Sequence, residues 1–235
     1  MGGGVNWEGS YGTITNCIFN YNTANAGSAI RCASNNITIL GCTFTSNFAT
    51  NEGSIWWWGA NGTLVDSTFT GNYANNNAGA ILWWGDNGTL TSSTFTNNTA
   101  TNLGGGIYWI GNNGALTDSI FTGNVAKQNG GAICWLSANC TITDSTFIDN
   151  TANNLGGAIY WDKAGAMIDC CFVTNEWVKS NGIYAGNNLN IIGGSGIVDI
   201  VPHSKTSISG ISIVVLNNET YYYPPNTNIN LPNKK

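Results

Sequence analysis

The sequence predicts an all-β fold: a right-handed single-stranded parallel β-helix of about seven coils, each of 25–26 residues with three short strands. Three recurring patterns carry that prediction. A Phe is followed three residues later by an Asn at Phe19/Asn22, Phe44/Asn47, Phe69/Asn72, Phe95/Asn98, Phe121/Asn124, Phe147/Asn150 and Phe172/Asn175. A cluster of small residues ends in Ile, as in Gly27-Ser28-Ala29-Ile30, Gly79-Ala80-Ile81, Gly131-Ala132-Ile133 and Gly157-Ala158-Ile159. An apolar residue stands five positions before each Phe, at Ile14, Ile39, Leu64, Leu90, Leu116, Ile142 and Met167. A fixed period in this range marks a solenoid, in which each unit stacks on the last.

Each element follows from local chemistry. The three apolar stretches of a unit are β-prone and separated by Gly, Asn, Asp and Ser, which is strand grammar with turns between. No window carries an apolar 3.6-residue period long enough for a helix. Strands rising ~3.3 Å per residue close such a coil, and equivalent strands then pair in parallel at ~4.8 Å steps, giving a rod roughly 34 Å long. Parallel crossovers are right-handed in nearly all cases. The Phe, Ile and Leu/Ile columns fill the interior, and the Asn column forms a ladder of side-chain amides. Gly before Ile supplies the backbone freedom that a tight corner needs.

The repeats occupy residues 1–186. Gly3-Gly4-Val5-Asn6-Trp7 overlays Gly105-Gly106-Ile107-Tyr108-Trp109, so the chain is expected to begin in mid-coil, as a piece of a longer protein or an end that meets another chain. Residues 187–216 keep strand-like stretches without Phe and its Asn partner and read as irregular terminal coils or a cap. Residues 217–235, with Tyr221-Tyr222-Tyr223-Pro224-Pro225, read as an extended tail or linker.

Composition narrows the function. Only 8% of residues are charged and the net charge is −5, with 7 Lys and Arg against 12 Asp and Glu. Nucleic acid demands clustered Lys and Arg, so it is excluded as a partner. No apolar run is long enough for a transmembrane helix. Solubility through Asn, Thr, Ser and Gly suits an extracellular or cell-surface β-solenoid.

The Gly-Gly-Ala-Ile and Phe-x-x-Asn motifs, paired and in phase, resemble the repeats of polymorphic outer-membrane proteins and of adhesin-like surface proteins of bacteria and methanogenic archaea. Residues 2 to about 186 carry the resemblance, most fully at Gly130-Gly131-Ala132-Ile133 and Gly156-Gly157-Ala158-Ile159. It implies a secreted or surface-anchored β-helical stalk used in adhesion.

Tryptophan is the most unusual local feature. Two residues after the Ile position stand Trp7, Cys32, Trp57, Trp83, Trp109, Trp135 and Trp161. One residue after it stand Asn6, Arg31, Trp56, Leu82, Tyr108, Cys134, Tyr160 and Tyr184. Strand neighbours point to opposite faces. If the long Trp column faces in, then Trp56, Leu82, Tyr108, Tyr160 and Tyr184 face out, with Trp58 and Trp84. If the strand turns at Ile, the long column itself faces out. In both cases an aromatic stripe runs along one face, and such a stripe marks an interface with a protein partner, a second copy of the rod or a cell-surface glycan.

Other residues carry weaker signals. Asp118, Asp144 and Asp169 fall on consecutive coils and make a weak Ca²⁺ candidate, though Asp, Ser and Asn in that column also suit a turn. Cys17 and Cys42 share a column on adjacent coils, within disulfide range, where small inward residues otherwise stand. Asn36, Asn61, Asn87, Asn97, Asn139 and Asn218 are Asn-x-Ser/Thr acceptors for glycosylation, several of them in repeat turns. For an enzyme the residues are sparse: the one Arg, Arg31, is far from the Asp column; Lys163 beside Asp162 and Asp169 is the nearest arrangement, and His203 is alone. The sequence therefore favours a non-enzymatic surface protein, adhesin-like or fibre-forming, with no cofactor and no catalytic residue. The alternatives are a polysaccharide-degrading β-helix enzyme, lyase or hydrolase, or a glycan-binding module.

Overall fold

A computed structural model describes residues 2–177 except 169 and 174, and beyond them the strand residues 183–185, 189–192, 195–196, 198–202, 206–209, 213–216, 219–222 and 229–231. Side chains are described through residue 167 and at 170, 172, 175 and 183. The chain winds as an all-β parallel solenoid of the right-handed type, with no helix among the described residues.

Each coil contributes four strands, not three. They form four parallel sheets, named here for the side chain each turns inward. The 11-stranded tryptophan sheet begins with Val5–Trp7, Ile30–Cys32, Ile55–Trp57 and Ile81–Trp83. The 10-stranded leucine sheet begins with Thr13–Thr15, Thr38–Leu40 and Thr63–Val65. The 8-stranded phenylalanine sheet begins with Ile18–Asn20 and Thr43–Thr45, and the 7-stranded alanine sheet with Thr23–Ala26, Phe48–Glu52 and Tyr73–Ala74. The alanine strand is the one the sequence conceals. In most coils it is two residues long, and Ala49, Ala74, Ala100, Ala126 and Ala152 are its buried members. Two residues are too few to show alternation, and Ala is a weak strand former. After Ile183–Ala185, further strands extend the tryptophan and leucine sheets, and Glu219–Tyr222 and Ile229–Leu231 pair antiparallel at the end.

Register is strict: Phe pairs with Phe, Leu with Leu and Trp with Trp from coil to coil. Successive Phe rings from Phe19 to Phe172 stack at 4.5–5.1 Å with interplanar angles of 1–8°. Ordinary sheets rotate roughly 20–25° per strand. The near-parallel rings show that this column stays straight.

Two polar ladders run beside the rings. In the Asn column each Nδ2 donates to the Oδ1 of the next coil at 2.9–3.0 Å, from Asn22 up to Asn175. Each amide from Asn47 upward also donates to a Phe carbonyl of the coil below, as Asn98 does to Phe69 at 3.0 Å. The same Oδ1 takes a backbone N–H as well, so both donors and both lone pairs of each interior amide are used. In the second ladder, the backbone N–H groups of Cys42, Ser67, Ser93 and Ser119 donate to Ser67, Ser93, Ser119 and Ser145 Oγ in turn, at 3.1–3.2 Å. The small inward residues of that column are therefore hydrogen-bond acceptors for the backbone.

The long Trp column faces in. Trp57, Trp83, Trp109, Trp135 and Trp161 are all fully buried, stacked at 4.4–5.0 Å. Trp57, Trp83, Trp109 and Trp161 each lie against a glycine four or five residues later, whereas buried Cys140 takes that place in the coil of Trp135. A Cβ on Gly62, Gly88 or Gly114 would stand 2.4–2.9 Å from the ring of Trp57, Trp83 or Trp109. In the coil that has Cys32 instead of Trp, the fifth residue on is Ile37, also fully buried. One large and one minimal side chain are there exchanged for two of intermediate size.

Candidate binding site on the tryptophan face

With Ile and Trp inward, the alternate residues of the tryptophan sheet face out: Asn6, Arg31, Trp56, Leu82, Tyr108, Cys134 and Tyr160, joined by strand register. They do not form an evenly exposed stripe. Leu82 and Cys134 are 1% and 0% exposed, recessed between the larger side chains on the rungs above and below. Trp56, Tyr108 and Tyr160 are half-buried. Burial, with Cys134 and Glu52 nearby, pushes the Tyr108 phenol up to about 12. Burial, with Asp162 nearby, also raises the Cys134 thiol. Tyr184 lies in register with Tyr160, and its side chain is outside the described residues.

The exposed aromatic surface sits one column over. Backbone N–H groups of Ala33, Trp58, Trp84, Ile110, Leu136 and Asp162 bond to the rung below at 2.7–3.0 Å, which stacks these residues in order above Glu8. Trp58 and Trp84 are 45% and 42% exposed, with rings 5.3 Å apart and 15° from parallel. Trp56 leans on Trp58 at 5.7 Å and 55°. The Arg31 guanidinium stands 5.5 Å from the Trp56 ring centroid. Its Nη1 donates to Asn6 Oδ1 at 3.0 Å and lies 3.5 Å from Glu8 Oε1, and Asn6 Nδ2 donates to the same oxygen at 3.0 Å. Aromatic faces beside planar polar groups can stack on a ligand ring and bond its edge.

The other sequence-derived candidates lie elsewhere. Asp118 and Asp144 are exposed turn residues with φ of 49° and 48°, in a column where Asn16, Asp66 and Ser92 take the same left-handed conformation. Asp169 lies outside the described residues, and among those described no group of three or more His, Cys, Asp or Glu is placed to hold a metal. Cys17 and Cys42 are thiols: the Cys17 N–H donates to Cys42 Sγ at 3.4 Å, while Cys17 Sγ donates to the Thr15 carbonyl at 3.1 Å. Asn36, Asn61, Asn87 and Asn139 share one turn column at positive φ, and the amides of Asn61 and Asn87 each donate to the one below at 3.1 Å. Asn97 occupies a different exposed turn, and Asn218 lies outside the described residues. Lys163 Nζ pairs with Asp162 Oδ2 at 2.8 Å. Arg31, which the sequence places far from the Asp118, Asp144 and Asp169 column, proves to be the centre of a polar cluster against Trp56, itself in contact with the exposed Trp58.

Residues 92–108, 118–134 and 144–160 match the Chlamydia polymorphic membrane protein repeat. The chain carries polymorphic-membrane-protein-type repeats. Repeats of this type indicate a surface or outer-membrane protein. Each match opens on a left-handed turn residue, Ser92, Asp118 or Asp144, and ends one position before an interior Trp. The exposed Trp58 and Trp84 lie outside the matched stretches. No curated protein and no solved structure matches the chain. No helix among the described residues is long and apolar enough to cross a membrane.

Proposed function

We propose that the chain is a non-enzymatic, adhesin-like rod displayed at the cell surface, which binds its partner through the exposed part of the tryptophan face. The observation that carries this reading is the exposed Trp58–Trp84 pair beside Arg31. Such rings cost solvation free energy unless something covers them, and single scattered apolar residues do not form a patch of this kind. Surface display is supported by the polymorphic-membrane-protein-type repeats.

Binding is favoured over fibre formation by size. Two rungs span about 10 Å, and the column above them passes to half-buried Ile110 and Leu136 and then to charged Asp162. Side-by-side packing of rods would call for an apolar strip along much of the length. The adhesive reading is tested by coating beads with the protein and counting attachment to bacterial, archaeal and epithelial cells. Wild-type beads are expected to attach, and Trp58→Ser with Trp84→Ser to reduce attachment at least fivefold with the β-sheet circular dichroism unchanged. Attachment that survives both substitutions would move the interface off this face.

A further inference from the structure

The two exposed indoles are not equivalent. Trp84 stacks on the face of Trp58 that points toward the later coils, and the ring of Trp84 is followed in turn by Ile110. On the opposite side of Trp58, toward the amino-terminal coil, the same column carries only the methyl-sized Ala33 on the next rung and Glu8 on the rung after that. Every other interval in this column between Trp58 and Leu136 is filled by a side chain of at least four carbons. Ala33 therefore leaves a notch. From Glu8 to Trp58 is two rungs, about 10 Å, and one methyl group stands between them.

The notch has a polar border. Arg31, Asn6 and Glu8 are bonded to one another directly beside it, and Arg31 is held against Trp56. These are a guanidinium, a carboxamide and a carboxylate, all planar groups able to bond two neighbouring hydroxyls at once. Arg31 and Glu8 carry opposite charges and sit 3.5 Å apart, so the site offers no net charge to an ionic ligand. An apolar ring face with a neutral, hydroxyl-matching rim fits a saturated sugar ring, whose C–H face stacks on an indole while its hydroxyls reach the rim.

We propose that the open face of Trp58, over Ala33 and bordered by Arg31, Asn6 and Glu8, binds one uncharged hexopyranose unit of a surface glycan. This names the ligand of the adhesive site and rests on that reading. The rod supplies one subsite of fixed geometry, and repetition of rods on a surface supplies avidity.

The test uses the full chain on an array of immobilised neutral and sialylated glycans, followed by calorimetry with free oligosaccharides of any class retained. Three substitutions separate this site from general stickiness. Trp58→Ala removes the stacking face. Ala33→Trp fills the notch by extending the indole stack downward. Trp84→Ala removes a ring that already has a neighbour on both faces. Neutral hexose glycans are expected to be retained, with affinity reduced at least tenfold by Trp58→Ala and Ala33→Trp and less than threefold by Trp84→Ala. Sialylation at the terminal position is expected to add nothing. An array with no retained glycan, or retained glycans that Ala33→Trp binds as well as wild type, would overturn the proposal. The bead assay keeps the two readings apart. Attachment that persists in Ala33→Trp refutes the sugar subsite while leaving adhesion intact; wild-type beads that attach to no cell refute adhesion, whatever the array shows.

Discussion

The reciprocal fit of Trp83 and Gly88 gives the sharpest test of how this core is built. Trp83 is fully buried between Trp57 and Trp109, each 4.4 Å away, so its ring has no direction in which to yield. A Cβ on Gly88 would fall 2.5 Å from its Nε1 and 2.6 Å from its Cε2. Gly88→Ile alone must therefore drive the ring out of the stack, at an overpacking cost of about 3 kcal/mol. Trp83→Cys alone removes a ring that buries roughly 200 Å², worth about 5 kcal/mol at 25 cal/mol per Å². Cavity data for large-to-small changes give about 3–5 kcal/mol. If the two sites were independent, the double variant would lose about 7 kcal/mol. The native Cys32 and Ile37 show that the exchanged pair packs with both members fully buried. The double variant Trp83→Cys with Gly88→Ile is thus expected to lose less than about 3 kcal/mol, a coupling of about 4 kcal/mol. Urea unfolding of wild type, both single variants and the double variant, followed by far-ultraviolet circular dichroism, measures this directly. A double variant as unstable as the sum of the singles would show that the Trp–Gly spacing is not a volume exchange.

Three further outcomes follow from the same structure. Asn98→Leu strands buried groups that now bond the amide: the Asn72 N–H at 3.0 Å, the Asn72 amide and the Phe69 carbonyl, with one lone pair of Asn124. At about 1–3 kcal/mol for each unsatisfied buried group it is expected to cost at least ~3 kcal/mol in the same urea assay. Alkaline pH is expected to destabilise the fold. The Cys32 thiol is pushed from 9.0 up to about 12 by burial and the Tyr108 phenol from 10.0 up to about 12, so folding favours their neutral forms. That contribution is fully present below pH 9 and is lost as pH rises toward 12; Tyr108→Phe should flatten the part above pH 10 in a plot of urea midpoint against pH. Iodoacetamide at neutral pH is expected to label exposed Cys17 and leave Cys32, Cys42, Cys134 and Cys140 unmodified until the chain unfolds, which peptide mapping would read.

The period made most of the interior legible. Phe19 through Phe172, Ile30 through Ile183 and the Asn ladder are columns because a solenoid allows a side chain to recur only above its equivalent. What escaped was whatever a single coil does not repeat or does not spell out. The Thr99–Ala100 strand is too short to alternate. The Ser67-to-Ser145 ladder read as small filler because its acceptor role depends on a backbone N–H one coil away. The Trp–Gly exchange was visible in principle: Gly62, Gly88 and Gly114 each stand five residues after a Trp, and Ile37 stands five after Cys32. The sequence also left the facing of the Trp column open, because parity gives two faces and cannot say which one is inside. The recessed positions of Leu82 and Cys134 needed their neighbours on adjacent rungs to be placed first.

The deviant coil links the core to the surface. In a stack of near-identical rungs the interior is over-determined, since any change must be matched by the same rung and tolerated by both neighbours. Cys32 with Ile37 meets that requirement by conserving volume, and it asks nothing of residues 31 and 33, which point away from the core. Those two positions differ in this coil as well: Arg31 stands in the column of Trp56, Leu82, Tyr108, Cys134 and Tyr160, and Ala33 in that of Trp58, Trp84, Ile110 and Leu136. Packing accounts for neither. Together they open one indole face and set a guanidinium beside it, against a column that is rigid because its rings have nowhere to move. A solenoid gains a single distinct site where its outer repetition is broken while its inside stays packed, and this rung meets both conditions.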